Sequence, residues 1–357
     1  MTKHLISLAA ALALASPIAA QKEAARSISE AVAETSKPAL SPGQIVAEAA
    51  AEEWIAIPAE DLLVMTLAPD AQGNERKVII QLMPAPFSKA WTANIRTFAR
   101  SGWYDNITVN RVQDNYVVQW GDANDDNPEA SGEPKTLPEG LQETSEGGYT
   151  VDFKTLEALD KAGLSNTSGH QTTNGLGAPA DTDFDDDPGI HEKDSYGPWV
   201  QFWDGWPIGA EFEGANPPFW PIHCYGMIGV GRNLSPDAGT GAELYTVIGH
   251  APRHLDRNIA LVGRIIEGIE HLSALPRGKG VLGFYEDESR RTPILTVRVA
   301  NDLPDQSAPQ FEYLDTSSET FARYANARAN RRDPFFIVPA GGADICNIPV
   351  PIRRVAK

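Results

Sequence analysis

Eight short runs of strand-forming residues, each closed by a turn signal, constrain this 357-residue chain more than any other feature. They are "LLVMTL" (62–67), "RKVIIQLM" (76–83), "NITVNRV" (106–112), "YVVQW" (116–120), "CYGMIGV" (224–230), "ELYTVIG" (243–249), "IALVGRII" (259–266) and "ILTVRVA" (294–300). Branched and aromatic side chains suit a pleated, half-buried surface, and the intervening Gly, Pro, Asn and Asp reverse the chain. Helical patterning is scarce. "PAPFSKAWTANIRTFARSG" (84–102) sets Trp91, Ile95 and Phe98 on one face with Gly102 as a stop, and "EGIEHLSAL" (267–275) fits a second short helix. Strands and helices do not alternate, which disfavours a parallel sheet. Antiparallel strands leave unpaired edges unless the sheet closes, so the expected fold is mostly β, a closed eight-stranded antiparallel barrel with two capping helices.

Outside these runs the texture changes. Lys3 and His4 precede an apolar run, Leu5 to Ala15, and small residues follow at Ala19 and Ala20. This is the pattern of a secretory signal peptide over 1–20, cut near Ala20. The run is shorter than the roughly 20 residues a membrane span needs. The expectation is export, with the periplasm as destination and no membrane span after cleavage. Residues 21–52, rich in Ala, Glu, Ser and Lys, read as a flexible or partly helical arm. The barrel is expected over 53–304, interrupted at about 123–194 by an insertion in which acidic residues outnumber basic ones 18 to 4 between Asp122 and Asp194. Its low apolar content argues for partial disorder, with "YTVDFKTLEALDKAG" (149–163) as a short ordered island. Trp199, Trp203, Trp206 and Trp220 then pack the insertion back onto the domain. Residues 305–357 form a C-terminal extension that packs on the barrel and carries a helix over "SETFARYANARANRR" (318–332).

Several functions are disfavoured. The net charge of -18 opposes binding to nucleic acid phosphates or anionic lipid. The seven histidines show no H-E-x-x-H spacing, and neither C-x-x-C nor G-x-S-x-G occurs, so no metal hydrolase or serine esterase is indicated. "DTDFDDDPGIHE" places Asp181, Asp183, Asp185 and Glu192 on a calcium-loop template, but Asp186 stands where the turn needs Gly; a solvated acidic loop is the better reading. The two cysteines, Cys224 and Cys346, suit either one bridge or two buried thiols.

The order of motifs carries more. "VIIQLMPAPFSKAWTANIRTFARSGWYDNITVNRVQDNYVVQWGD" (78–122) resembles the opening half of the cyclophilin-type peptidyl-prolyl cis-trans isomerases: strand, helix, G-x-Y-D turn, a strand bearing x-R-V, and a partner ending Q-x-G-D. "GMIGVGRNLSPDAGTGAELYTVIGHAPRHLDRNIALVGRIIEGIEHLSAL" (226–275) resembles the second half. The resemblance implies a cyclophilin-like barrel that isomerises X-Pro bonds of polypeptide substrates without a cofactor. It places Arg111 and Gln119 at the catalytic positions and Tyr116, Val117, Tyr245, His254, Leu255 and Arg232 along the substrate groove. The chain departs from the family pattern at Asn110, Trp120, His254 and Ile259, which gives a second reading: a catalytically weak binding module or holdase using the same groove. Physically, the catalytic reading needs neither nucleophile nor proton. The barrier is amide resonance, about 18–20 kcal/mol, and an apolar pocket with a fixed donor lowers it by favouring the twisted amide. Arg111 and Gln119 sit on successive strands across a turn, so their side chains can converge.

Overall fold

The computed structural model describes residues 38–125, 130–161, 195–211 and 216–355. The signal-like segment and the calcium-loop template lie outside these residues. In chain order the described elements are α1 (Pro42–Ala47), β1 (Trp54–Ala56), β2 (Leu62–Leu67), β3 (Arg76–Leu82), α2 (Lys89–Arg100), β4 (Ile107–Val112), β5 (Val117–Gly121), β6 (Val151–Asp152), α3 (Phe153–Lys161), β7 (Trp199–Trp203), β8 (Trp206–Ala210), β9 (Pro218–Pro221), β10 (Met227–Val230), β11 (Leu244–Val247), β12 (Leu261–Glu267), α4 (Glu270–Ser273), β13 (Thr292–Val299), β14 (Phe311–Leu314), α5 (Glu319–Ala329) and β15 (Ile352–Arg354).

Eight of these strands close into a barrel in the order β10-β11-β5-β4-β13-β2-β3-β12, every pairing antiparallel. They are the eight runs legible in the sequence. Inward residues of all eight strands form one core, with Leu63, Met65, Val109, Val112, Val118, Trp120, Val230 and Val262 buried in it. Helix α2 lays Trp91, Ile95 and Phe98 into that core. Its end follows from Gly102, whose φ of 69° opens the left-handed region. Gly102 N donates to Ala99 O, Trp103 N donates to Phe98 O, and the Phe98 and Trp103 rings pack 4.9 Å apart. That is a Schellman ending with its apolar contact. Leu272 of the short helix α4 is buried in the same core.

A second body of structure flanks the barrel. Strands β6-β9-β8-β7 form a four-stranded sheet, and β1-β14-β15 a three-stranded one. Val200, Trp203, Trp206, Trp220 and Ile222 share a core with Ile45 of α1 and Phe321 and Tyr324 of α5. The aromatic run packs against the barrel, sharing a core with Met83, Met227 and Leu261, and it also builds a sheet of its own. Its hairpin turns on Asp204 (φ 47°) and Gly205 (φ 79°), with Trp203 and Trp206 paired across it, and Asp-Gly is a strong signal for that turn type. The acidic stretch also contributes order: Lys135 N donates to Asp122, Trp103 Nε1 donates to Thr136 O at 3.0 Å, and Asn94 Nδ2 donates to Gln142 O at 3.0 Å. Cys224 and Cys346 form a disulfide that ties the C-terminal extension to the segment entering β10. Among the described residues no helix is long and apolar enough to cross a membrane.

Candidate functional site

The site is a row of facing residues across four neighbouring strands. Arg111 of β4 lies opposite Gln119 of β5, Gln119 opposite Tyr245 of β11, and Tyr245 opposite Gly229 of β10. Two local features set that row. A register shift between Val109 and Arg111 brings Arg111 into line with Gln119, as a bulge re-aims the side chains beyond it. The reversal at Gln113–Tyr116 turns on Asn115, at φ 51°, whose side-chain oxygen accepts from His250 N at 3.0 Å. Alternation along β5 then separates the two faces. Val118 and Trp120 enter the barrel core, whereas Val117 and Gln119 face outward toward the site.

The row lines a cleft of about 740 Å³. Its apolar floor is a cluster of Val117, Tyr245, Val247 and Leu255, with Tyr116 and Ile259 packed against it. The Tyr245 ring lies directly over Gly229, where a Cβ would meet its hydroxyl at 2.2 Å, so the glycine is what admits the ring. Beneath, the Tyr245 hydroxyl is 3.1 Å from His223 Nε2, and His223 Nδ1 is 3.0 Å from Asp256 Oδ1. Arg253 Nε donates to the other Asp256 oxygen at 2.6 Å. Burial pushes the Tyr245 phenol well above its ordinary pKa, which keeps it a neutral, apolar floor.

Arg111 stands at one side of that floor. Its Nε donates to Leu282 O at 2.7 Å, one Nη to Gln119 Oε1 at 3.0 Å, and the other to Gln113 Oε1. The rings of Tyr116 and Phe284 each lie 5.6 Å from the guanidinium carbon. A guanidinium has five N–H donors, so among the described residues two remain for a ligand. Burial lowers the Arg111 pKa, opposed by Tyr116 and Glu243; a poorly hydrated cation is a stronger donor than a solvated one.

The residues expected along the groove are distributed unevenly. Arg111, Tyr116, Val117, Gln119, Arg232 and Tyr245 line the cleft. Arg232 is turned to backbone, donating from Nε and one Nη to Asn258 O at 3.2 and 2.9 Å and from the other Nη to Asn233 O at 2.6 Å. His254 and Leu255 do not line it. Leu255 belongs to the apolar cluster of the floor, and the His254 ring stacks on that of Tyr116 with centroids 6.3 Å apart. The departures at Asn110 and Trp120 point elsewhere: Asn110 Nδ2 donates to Gly121 O at 3.3 Å, and Trp120 is 1% exposed in the barrel core.

Sequence reasoning missed several contributors. Leu282 and Phe284 come from a Gly-rich loop without strand pattern, and Glu243 precedes β11, its carboxylate accepting from Gln119 Nε2. Burial raises Glu243 to about 8, opposed by the bond from Gln119 and reinforced by Asp125 and Asp122. Thr136 and Leu137 of the acidic stretch supply another wall. Among the described residues no group of three or more His, Cys, Asp or Glu side chains is placed to hold a metal ion.

Comparisons with known proteins bear on the fold and the family. None of the curated proteins compared with the chain matches it. The crystal structure of cyclophilin AquaCyp293 from Hirschia baltica is similar at 17% identity and a TM-score of 0.57, covering 86% of this chain and 98% of that one. A cyclophilin type peptidyl-prolyl cis-trans isomerase from Cryptosporidium parvum matches at 12% identity and a TM-score of 0.34, covering 67% of this chain and 96% of its own. The family profile described as cyclophilin type peptidyl-prolyl cis-trans isomerase/CLD matches residues 71–299. That is more than half of the sequence, and the chain belongs to the cyclophilin-type peptidyl-prolyl cis-trans isomerase family.

Proposed function

We propose that the cleft accelerates rotation of X-Pro bonds in exported polypeptides, with Arg111 as donor to the twisted prolyl amide and Gln119 holding its guanidinium. The observation that carries this is the placement of Arg111 beside an apolar floor with two donors uncommitted. A proline ring seated on Val117 and Tyr245 would bring its amide beside the guanidinium. Rotation removes the resonance that makes the prolyl nitrogen a poor acceptor, so a fixed donor there binds the twisted form better than either planar one. The family's recognition of proline-containing peptides supports the same substrate class. Export is supported by the signal-like N-terminus and by the Cys224–Cys346 bridge, since disulfides persist in oxidising compartments.

Exchange-sensitive NMR on a proline peptide tests the reading, with wild type and Arg111→Ala compared side by side. Wild type should broaden and merge the cis and trans signals at substoichiometric concentration, and Arg111→Ala should lose most of that effect. Peptide binding by the wild type without cis-trans exchange would replace catalysis with the binding-module reading.

A further inference from the structure

Rotation of an amide moves no proton, yet a buried carboxyl stands next to the Arg111–Gln119 pair. The Glu243 side chain is folded between two glycines: a Cβ on Gly121 would lie 2.8 Å from its Cγ, and one on Gly231 would lie 2.8 Å from its Cβ. One carboxyl oxygen accepts from Gln119 Nε2, and Oε1 is buried without a hydrogen-bond partner among the described residues. Gln119 Oε1 in turn accepts from Arg111.

A carboxamide can present either end to a neighbour. Only one orientation satisfies both sides here, with the oxygen toward the guanidinium and the NH₂ toward the carboxyl. The flipped amide would set donors against donors at Arg111 and, with Glu243 ionised, acceptor against acceptor there. We propose that Glu243 is a positioning residue: it fixes the orientation of the Gln119 amide and, through it, the aim of the Arg111 guanidinium. The proposal rests on reading Arg111 as the donor to the prolyl amide.

The charges around Glu243 give the arrangement a signature. Asp122 and Asp125 follow β5 and disfavour a second negative charge, whereas Arg111 on β4 favours it; burial is the largest influence and raises the group to about 8. The other two cations lining the cleft are turned to carbonyls, Arg232 to Asn258 and Asn233, and Lys135 to Trp103 and Asp105. Above pH 8 the carboxylate grips the Gln119 amide; below it the neutral acid is the weaker acceptor, since a charged acceptor holds roughly twice as strongly as a neutral one. Catalysis should therefore improve as pH rises through that range.

The experiment measures isomerisation of a proline peptide from pH 6.5 to 9.5 with wild type, Glu243→Gln and Glu243→Leu, each checked for a cooperative melt. The wild-type kcat should rise by about threefold across the range, and Glu243→Leu should lower it by about tenfold with KM changed by less than about twofold. Glu243→Gln still offers an oxygen to Gln119, so it should restore most of the rate while giving a flat profile. A folded Glu243→Leu with wild-type kcat overturns the proposal, as does a Glu243→Gln profile that keeps the rise or a flat profile in wild type. Wild type without isomerase activity would overturn the Arg111 reading and this one together; active wild type with an unaffected Glu243→Leu overturns this one alone.

Discussion

Arg111 on β4 and Arg264 on β12 each lie opposite a glutamine on the adjoining barrel strand, Gln119 and Gln81. In both pairs the guanidinium donates to the carboxamide oxygen, at 3.0 and 2.8 Å. What covers the pairs differs. Arg111 faces the cleft between Tyr116 and Phe284. Arg264 is 6% exposed, lies 4.2 Å from the Trp206 ring and donates to Gly205 O at 2.7 Å, so it anchors the four-stranded sheet to the barrel. No carboxylate lies within ion-pairing distance of Arg264 among the described residues, and burial lowers it to about 9. One side-chain pair in one strand geometry thus faces a cleft where the surface is open, the proposed donor, and acts as a clamp where a second sheet closes over it.

The comparison breaks if the two arginines respond alike to truncation. Arg111→Ala should reduce kcat/KM by about a hundredfold, a loss of ~3 kcal/mol of transition-state stabilisation. Its thermal midpoint should stay close to that of wild type. A hundredfold loss accompanied by a large fall in melting temperature would mean that Arg111 is also a clamp.

Arg264→Ala should do the reverse. It leaves Gln81 Oε1 and Gly205 O without their donor and opens a cavity beneath Trp206, at a cost of about 3 kcal/mol. Denaturant unfolding measures that cost, and kinetics per folded molecule should match wild type. Arg264→Met should recover part of the stability, because a buried unpaired charge is replaced by an apolar chain of similar length.

How much of this was legible beforehand follows from the same residues. The barrel strands could be read because alternation along β2, β4 and β13 separates core from surface residues. Strand β8, "WPIGA", is buried at every position and has no alternation to read; the Asp204-Gly205 turn is its one local signal, and it went unread. Arg111 and Gln119 stood out through the order of motifs around them. By pattern alone the pair Arg264 and Gln81 is equivalent to Arg111 and Gln119, and the sheet that distinguishes them is built from β6, β7, β8 and β9. Glu243, Leu282 and Phe284 reach the cleft from more than 120 positions away from Arg111 or Gln119, a proximity set by barrel closure that no local signal carries.

The Cys224–Cys346 bridge sharpens the comparison from the clamp side. It joins the C-terminal extension to the barrel within the core that Trp206 and Trp220 share. Removing it frees a loop of more than one hundred residues in the unfolded chain, which chain-entropy reasoning values at about 2–4 kcal/mol in practice. The double variant Cys224→Ser, Cys346→Ser should therefore unfold at lower denaturant concentration. The cleft row should keep its kcat, since it is built from strands β4, β5, β10 and β11. A matching fall in kcat would show that the clamp side holds the cleft in shape.

A third arginine completes the series and should have the smallest effect. Arg298 has what Arg111 and Arg264 lack, a bidentate carboxylate, with Nη1 and Nη2 at 2.6 and 2.7 Å from Asp105. Both partners are partly exposed, at 38% and 27%, so water screens the pair and its contribution should be below about 1 kcal/mol. The hydrogen bonds from Arg298 hold the Asp105 carboxyl below its ordinary pKa, opposed by partial burial. A carboxyl lowered on folding stabilises above its unfolded pKa and loses that contribution as pH falls through the folded value. Asp105→Asn should therefore be slightly less stable than wild type at pH 7, and the two should converge in acid below the ordinary Asp range. Raising the salt concentration at pH 7 should shrink the difference further. If Asp105→Asn instead cost as much as Arg264→Ala, formal charge pairing rather than burial would rank these arginines, and the contrast between cleft and clamp would need a different physical basis.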